Sequence, residues 1–598
     1  MERPRATCRE WKEPSMSDQL TRRSFLSAAA VGAATLAACS NKGVEEGPID
    51  AADLVIRGGS IITMVEEGSY AEALAVKDGK LVYVGADDGV DTYIGDATRV
   101  IELGGACAMP GFIDGHIHAP GPYLTEETEI AFLNYDVDLE VYKQALADFI
   151  AAHPNYDIYL GMGVDLKAFP DSKGTNDWIN EVCSDKPVSL SDVSGHGQFL
   201  NDVAIELCGI TKDTPNPPSG IIYKDGDGEL TGYFSDCGAI IDGYLPDFEY
   251  TNEDYRKAVM GFLAEANSYG ITGMDSGGDS IPRDLLAEMA ADGTLTVRYN
   301  ANFFSDATAE AADEAIARLG SEQRYVSDML TIKQVKHKVD GVPEGKSSYL
   351  LEPYDPAAGT DPDYVSSPAN TQEEMTAFTT KMNAAGYQVQ MHCMGDASVR
   401  MAINAYEESR KANGDPDVRN KITHYNLVAK EDVPRTAENK IICCMQPMWF
   451  YYDPFFSPLE EQMFGAERFA SEYHIRDLID VGVMITGSND YPVTYDFAPL
   501  HAIEAGATQC SPYPGEDEQV DVYTRNADQA ATVYEMLQMY TVNGAYAAFW
   551  EDKAGTLEEG KFADIVVLDK DPLSCDVKEI SDIAVLYTIS NGNVVYEG

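Results

Sequence analysis

The sequence predicts an α/β protein: a (β/α)8 barrel with a large insertion after its first strand, plus a small β-sandwich domain built from both termini. Three observations predict it. The chain has 598 residues, more than one core usually supports. Its middle alternates short β-branched runs with amphipathic helical stretches, the pattern of βα units feeding a parallel sheet. Its two ends are strand-rich and flank that long middle, so together they can build one small β unit.

The first element is a leader. TRRSFLSAAAVGAATLAAC (Thr21–Cys39) places paired arginines before an apolar run, Phe25 to Ala38. That run is shorter than the roughly 20 residues needed to span a bilayer, so residues 1–39 read as a signal peptide. Arg22-Arg23 resembles a bacterial twin-arginine export signal, and Leu-Ala-Ala-Cys resembles a lipobox in which Cys39 is lipidated. The expectation is an exported, membrane-anchored lipoprotein facing the periplasm or the cell exterior. Residues 1–15 add nothing a signal needs, so Met16 is an alternative start. Residues 40–53 read as a polar tether.

Residues 54–110 open the terminal β-sandwich. ADLVIRGGSIITM (Ala52–Met64) reads as strand, Gly-Gly turn, strand, and AEALAVKDGKLVYVG (Ala71–Gly85) as a hairpin around Asp78-Gly79. Residues 546–598 complete it, with GKFADIVVLDKDPL and a last hairpin turning at Asn591-Gly592. Between them, 111–545 holds eight buried-strand candidates: Gly111–His118, Gly270–Ser276, Thr296–Phe303, Leu330–Asp340, Tyr387–His392, Lys421–Tyr425, Ile441–Met445 and Val483–Ser488. Eight is the number that closes a (β/α) barrel. Residues 119–250 form the insertion, with strand-like runs at Tyr156–Val164 and Lys186–Val193.

Apolar content of 44% and charged content of 24% are those of a globular protein, but the net charge is −56. Such a surface repels nucleic acid and anionic head groups, which excludes both as partners and leaves the lipid anchor as the only membrane contact. Of 11 cysteines, Cys8 and Cys39 belong to the leader, and the odd nine that remain exclude a fully paired disulfide framework.

The chain has only 9 histidines, yet GFIDGHIHAP (Gly111–Pro120) places His116 and His118 one residue apart at a strand end. Alternate strand residues face the same way, so the two imidazoles can share an ion. His392 closes the fifth strand, His424 the sixth, and Asp490 follows the eighth. The carboxyl ends of barrel strands are where such folds hold their active sites.

In combination these motifs resemble the amidohydrolase superfamily, specifically the amidohydrolase-3 branch that includes N-substituted formamide deformylases. GFIDGHIH resembles GFxDxHxH, VKHKVDGVPEGKSSYLLEPY resembles VKxxxDGVxE…PY, HCMGDAS resembles HxxGDxA, ITHYNLVAKEDVPR resembles IEHxxxxxxxDIxR and GSNDYPV resembles GSDxPV. GHGQFLN and GTLEEGKFADIVVLD are also similar to family segments. Asn489 departs from the pattern, and Asp490 is aligned because it keeps the following x-Pro-Val.

The resemblance implies a site of two divalent metal ions. His116, His118 and Asp490 would hold one and His392 and His424 the other, with a carbamate on Lys336 bridging them. Lys338, on the same strand face, is the competitor for that carbamate. Such donors suit Zn, with Fe, Mn or Ni open. Hydroxide held between the metals would attack an amide or N-acyl/N-formyl carbonyl of a small molecule, Asp490 would carry the proton to the leaving nitrogen, and His196 would stabilise the oxyanion. WFYYDPFF (Trp449–Phe456) would either wall the pocket or pack on the insertion. The alternatives are a lipid-anchored solute-binding protein with a decayed site, or the same metal site acting on an ester or lactone. The sequence leaves the substrate and the oligomeric state open.

Overall fold

The computed structural model describes residues 50–126, 128–132, 138–218, 220–513 and 523–598. The leader with Cys39, and the tether up to residue 49, lie outside the described residues. Among those described, no helix is long and apolar enough to cross a membrane.

The middle of the chain carries eight parallel strand positions: β1 (Phe112–Ile117), β2 (Ile271–Ser276), β3 (Arg298–Ala301), β4 (Leu330–Ile332, resuming at Gln334–Lys338), β5 (Gln388–Cys393), β6 (Lys421–His424), β7 (Ile442–Met445) and β8 (Met484–Gly487). Each falls within or overlaps a predicted strand. The first part of β4 pairs with β3, and the second pairs with β5. From there β5 to β8 pair in sequence order. β8 returns beside β1, where Asp490 N–H donates to the His116 carbonyl at 3.2 Å. This is an α/β protein of the TIM-barrel type.

Helices between the strands start and stop by ordinary chemistry. Asn252–Ser268 opens on a reciprocal cap between Thr251 and Asp254, and Gln372–Ala384 on one between Thr371 and Glu374. Asp396–Asn413 ends at Gly414, whose φ of 76° suits a glycine C-cap. Their apolar faces and the outer faces of the strands share one large core, including Phe262, Met274, Phe378, Met391 and Ile403.

The termini build one continuous eight-stranded sheet rather than two separate sheets. Leu54, Ile56 and Leu74 from the N-terminal part share a core with Ile565, Val567 and Ile589 from the C-terminal part. Both predicted turns are two-residue hairpin loops with positive φ at each position: Asp78 49° and Gly79 79°, Asn591 49° and Gly592 78°. The two turns meet, since a Cβ on Gly592 would lie 2.6 Å from Gly79 Cα.

Gly58-Gly59 is not a turn. Leu54–Ile62 is a single strand with a bulge between Arg57 and Ile61, where it changes partner from Arg99–Glu102 to Cys107–Ala108. Gly58 supplies the positive φ, 78°, that a bulge of this kind uses.

The insertion forms a six-stranded sheet in the order Ile221–Lys224, Leu230–Ser235, Gly197–Leu200, Val188–Asp192, Tyr159–Val164 and Glu129–Ala131. Two of these strands overlap predicted ones. Three of the other four, Ile221–Lys224, Gly197–Leu200 and Glu129–Ala131, are only three or four residues long, too short to show a period. Among the described residues, no disulfide joins any of the nine cysteines.

Candidate metal centre

Six side chains from five strand ends meet at the carboxyl end of the parallel strands. Asp490 lies at the centre, with Oδ1 3.2 Å from His116 Nε2 and 3.3 Å from His118 Nε2, and Oδ2 3.9 Å from His424 Nδ1. One atom each of His116, His424 and Asp490 can be chosen so that all lie within 4.8 Å of one another. The His392 and His424 rings are 4.3 Å apart, and Lys336 Nζ is 3.3 Å from His116 Nε2.

The backbone is unusual at two of these positions. His424 has φ 74° and Asp490 φ 56°, values that L-residues other than glycine seldom adopt. Residues held this way concentrate at functional sites. Asn489, the residue that departs from the motif, points elsewhere. Its N–H donates to Asp114 Oδ2 at 3.2 Å, while Asp114 Oδ1 accepts from His116 N–H at 3.0 Å. Asp114 thus joins β1 to the end of β8 directly beneath the cluster. Burial pushes the Asp114 carboxyl up to about 8 against these two N–H groups.

Electrostatics favour the protonation states a metal needs. Burial holds His116 and His392 well below the usual imidazole range and His424 down to about 3, so all three are neutral ligands near pH 7. Burial raises the Asp490 carboxyl, but its imidazole neighbours, His116 first and then His118 and His424, outweigh it and hold it well below the carboxylate range. Burial lowers the Lys336 amine to about 8. His392 Nε2 and Asp490 Oδ1 are both buried without a hydrogen bond. Orphaned donors of this kind, facing neutral imidazoles, fit divalent cations: a bound ion satisfies what protein hydrogen bonds leave open.

Lys338 does not join the cluster. Its Nζ lies 2.8 Å from Asp236 Oδ1, at the end of the insertion strand Leu230–Ser235. His196 Nδ1 lies 2.7 Å from the same oxygen, and its ring sits 5.1 Å from that of His392. Asp236 has no place in the sequence motifs; its signal is only an acid closing an apolar strand, GYFSD. Gln390 was also missed. Its Nε2 lies 2.8 Å from His116 Nδ1, on the ring edge away from Asp490, and 2.8 Å from Thr423 Oγ1. The aromatic run divides between two neighbours. Trp449 stacks on His424 at 5.5 Å, whereas Phe455 packs on Lys167 of the insertion.

The family model of the amidohydrolase family matches residues 99–596. The chain belongs to this family. Among its relatives, YtcJ of Bacillus subtilis (strain 168) is 27% identical over 553 residues, 90% of this chain and 98% of YtcJ. The N-substituted formamide deformylase of Arthrobacter pascens is 24% identical over 561 residues, covering 91% of this chain and 98% of the deformylase. A metal-dependent hydrolase of Pyrococcus horikoshii OT3 shares the fold at a TM-score of 0.66 and 22% identity, covering 88% of this chain and 99% of its own. An adenosine deaminase from Xanthomonas campestris, solved with zinc, matches at a TM-score of 0.51 and 15% identity, over 92% and 93% of the two chains. The chain is a hydrolase of the amidohydrolase family.

Proposed function

We propose that this amidohydrolase cleaves a non-peptide C–N bond, an amide or N-acyl/N-formyl bond of a small molecule, at a centre of two divalent metal ions. The observation that carries the reading is the convergence of His116, His118, His392, His424, Lys336 and Asp490 around one buried point. His116, His118 and Asp490 would hold one ion and His392 and His424 the other, with carboxylated Lys336 between them. The eight strands would form a closed barrel around it, and the terminal sheet would fold over as a sandwich. Zn suits this donor set, and Fe, Mn and Ni can use it.

Bound ions would polarise the carbonyl and lower the pKa of water so that it attacks near neutral pH. Asp490, central among three imidazoles, would accept a proton at this centre and return it to the departing nitrogen. Trp449, lying flat on His424, walls the pocket on that side. With His116, His392 and His424 neutral, Asp490 and a carboxylated Lys336 would supply the negative charge at the centre. The name of the Arthrobacter pascens relative supports a C–N substrate.

The test is purified protein loaded with zinc and offered N-formyl, N-acyl, ester and lactone compounds. Release of amine with close to two metals per chain supports the reading. Ester or lactone turnover alone would transfer it to the alternative chemistry, and tight ligand binding without turnover would make the chain a binding protein.

We further propose that the leader exports the folded protein by the twin-arginine route and that Cys39 carries the lipid. Cys39→Ser should release the protein from the membrane fraction. Mass spectrometry of an unmodified Cys39 in membrane-extracted protein would refute the anchor.

A further inference from the structure

The strongest unassigned feature is the carboxylate of Asp236. Its side chain is fully buried, and it gathers groups from two parts of the fold. Oδ1 takes His196 Nδ1 at 2.7 Å and Lys338 Nζ at 2.8 Å; Oδ2 takes the Ser347 hydroxyl at 2.5 Å and that of Ser235 at 3.3 Å. His196 and Lys338 belong respectively to the insertion and to β4. The backbone binds His196 too: Asp236 N–H donates to the His196 carbonyl at 2.8 Å.

Two further observations show that the fold is built around this side chain. Asp236 has φ 50°, a strained value for a residue that is not glycine. Gly341 leaves room for it: a Cβ there would lie 2.0 Å from Asp236 Oδ2, although the Gly341 backbone itself is ordinary. The Asp-Gly of the β4 motif therefore includes a glycine whose absent side chain is the space the carboxylate occupies.

A carboxylate only accepts hydrogen bonds, so the ring nitrogen facing it must carry hydrogen. That leaves Nε2 as the one nitrogen of His196 free for other work, on a ring 5.1 Å from His392. We propose that Asp236 is a positioning residue for the reaction: it fixes His196 in the Nδ1–H form with Nε2 left to face substrate as a hydrogen-bond and proton acceptor, in place of the oxyanion donor expected from the sequence. Through Lys338 it also clamps the insertion to β4 so that this ring stays over the metal centre. The catalytic consequence rests on the proposed hydrolytic function, but the geometry does not. The same fixing of an imidazole by a buried carboxylate underlies other hydrolytic sites, where replacing the acid by its amide leaves the shape and loses the tautomer.

The experiment labels the 9 histidines of the full chain with nitrogen-15. His196→Gln assigns the His196 signals. Zinc-loaded wild type should show His196 with a protonated Nδ1, and Asp236→Asn should shift it toward the Nε2–H form. On an amide the wild type hydrolyses, Asp236→Asn should lower kcat on the order of 100-fold or more, with KM changed less than about threefold and metal content unchanged. Lys338→Met, which removes the clamp but not the carboxylate, should keep the tautomer and cost less. A bare Nδ1 on His196 in the wild type overturns the proposal, and this outcome needs neither a foldable variant nor a known substrate. An unchanged tautomer and kcat in Asp236→Asn overturns it as well. If no amide is hydrolysed but the tautomer behaves as stated, the proposed function fails and the positioning stands.

Discussion

Lys336 and Lys338 lie on one face of β4, two residues apart, yet only Lys336 reaches the histidine cluster. Its Nζ is 3.3 Å from His116 Nε2, while Lys338 Nζ is 2.8 Å from Asp236. Two residues along the strand, about 6.6 Å, separate a buried amine with no carboxylate hydrogen-bonded to it from one neutralised by an acid.

Replacing the two lysines should therefore give different outcomes. Lys336→Ala should lose activity and at least one metal, and short carboxylic acids should restore part of both by supplying two oxygens in the vacated space. Lys338→Ala should retain both metals. The Lys336 amine, lowered to about 8 by burial, gains its nucleophilic neutral form as pH rises. At fixed dissolved CO2, metal-free protein should react about tenfold faster at pH 9 than at pH 7, the ratio of neutral amine at those values. Mass spectrometry of the trapped carbamate measures it, and a rate independent of pH would count against Lys336.

Gln390 grips His116 on the ring edge opposite Asp490, at 2.8 Å, and is itself tied to Thr423 and Asn302. Partners of this kind orient a metal-binding imidazole, and losing one typically weakens metal affinity about 10–100-fold. Gln390→Leu should show that loss in a competition with a chelator, with the fold intact by circular dichroism. Unaltered affinity would mean that packing alone orients His116.

Gly341→Ala should be costly for a purely steric reason. The new Cβ meets Asp236 Oδ2 at 2.0 Å and Ser347 Oγ at 2.2 Å, so a buried hydrogen-bonded group has to move. Overpacking of this kind costs about 1–3 kcal/mol. Urea unfolding should show it, and Gly482→Ala, where the same atom meets nothing within 4 Å, provides the contrast: its cost comes only from its φ of 84°.

The site was legible where chemistry repeats at short range. His116 and His118 sit at a spacing that a strand turns into one face, and His392, His424 and Asp490 each follow an apolar run. Asp236 was not legible, because its partners lie 40 and 102 residues away and meet it only once the insertion docks on β4. The Gly58-Gly59 misreading has a similar cause. Two glycines between strands suit a turn, and only the change of partner from Arg99–Glu102 to Cys107–Ala108 makes them a bulge. The hairpins at Asp78-Gly79 and Asn591-Gly592 were readable because both residues of such a turn need positive φ locally.

The last expectation concerns how the terminal sheet is held to the parallel strands. Arg298, on β3, directs Nε to Asp564 Oδ2 at 2.5 Å, and both side chains are almost fully buried. Asp564 Oδ1 also accepts the Asn591 N–H at 2.8 Å, and the Asp564 carbonyl accepts the Gly111 N–H at 3.0 Å just ahead of β1. The pair thus joins the Asn591-Gly592 hairpin to the start of the parallel strands. Removing one partner of a buried ion pair leaves an uncompensated charge and costs about 3–5 kcal/mol, whereas removing both can be close to neutral. Asp564→Ala should therefore unfold at clearly lower urea than wild type, by fluorescence and circular dichroism alike. Arg298→Met combined with Asp564→Leu should recover most of that loss, because no charge is left buried. An equal loss in the single and double variants would show that the hydrogen bond to Asn591, not the ion pair, holds the sheet in place.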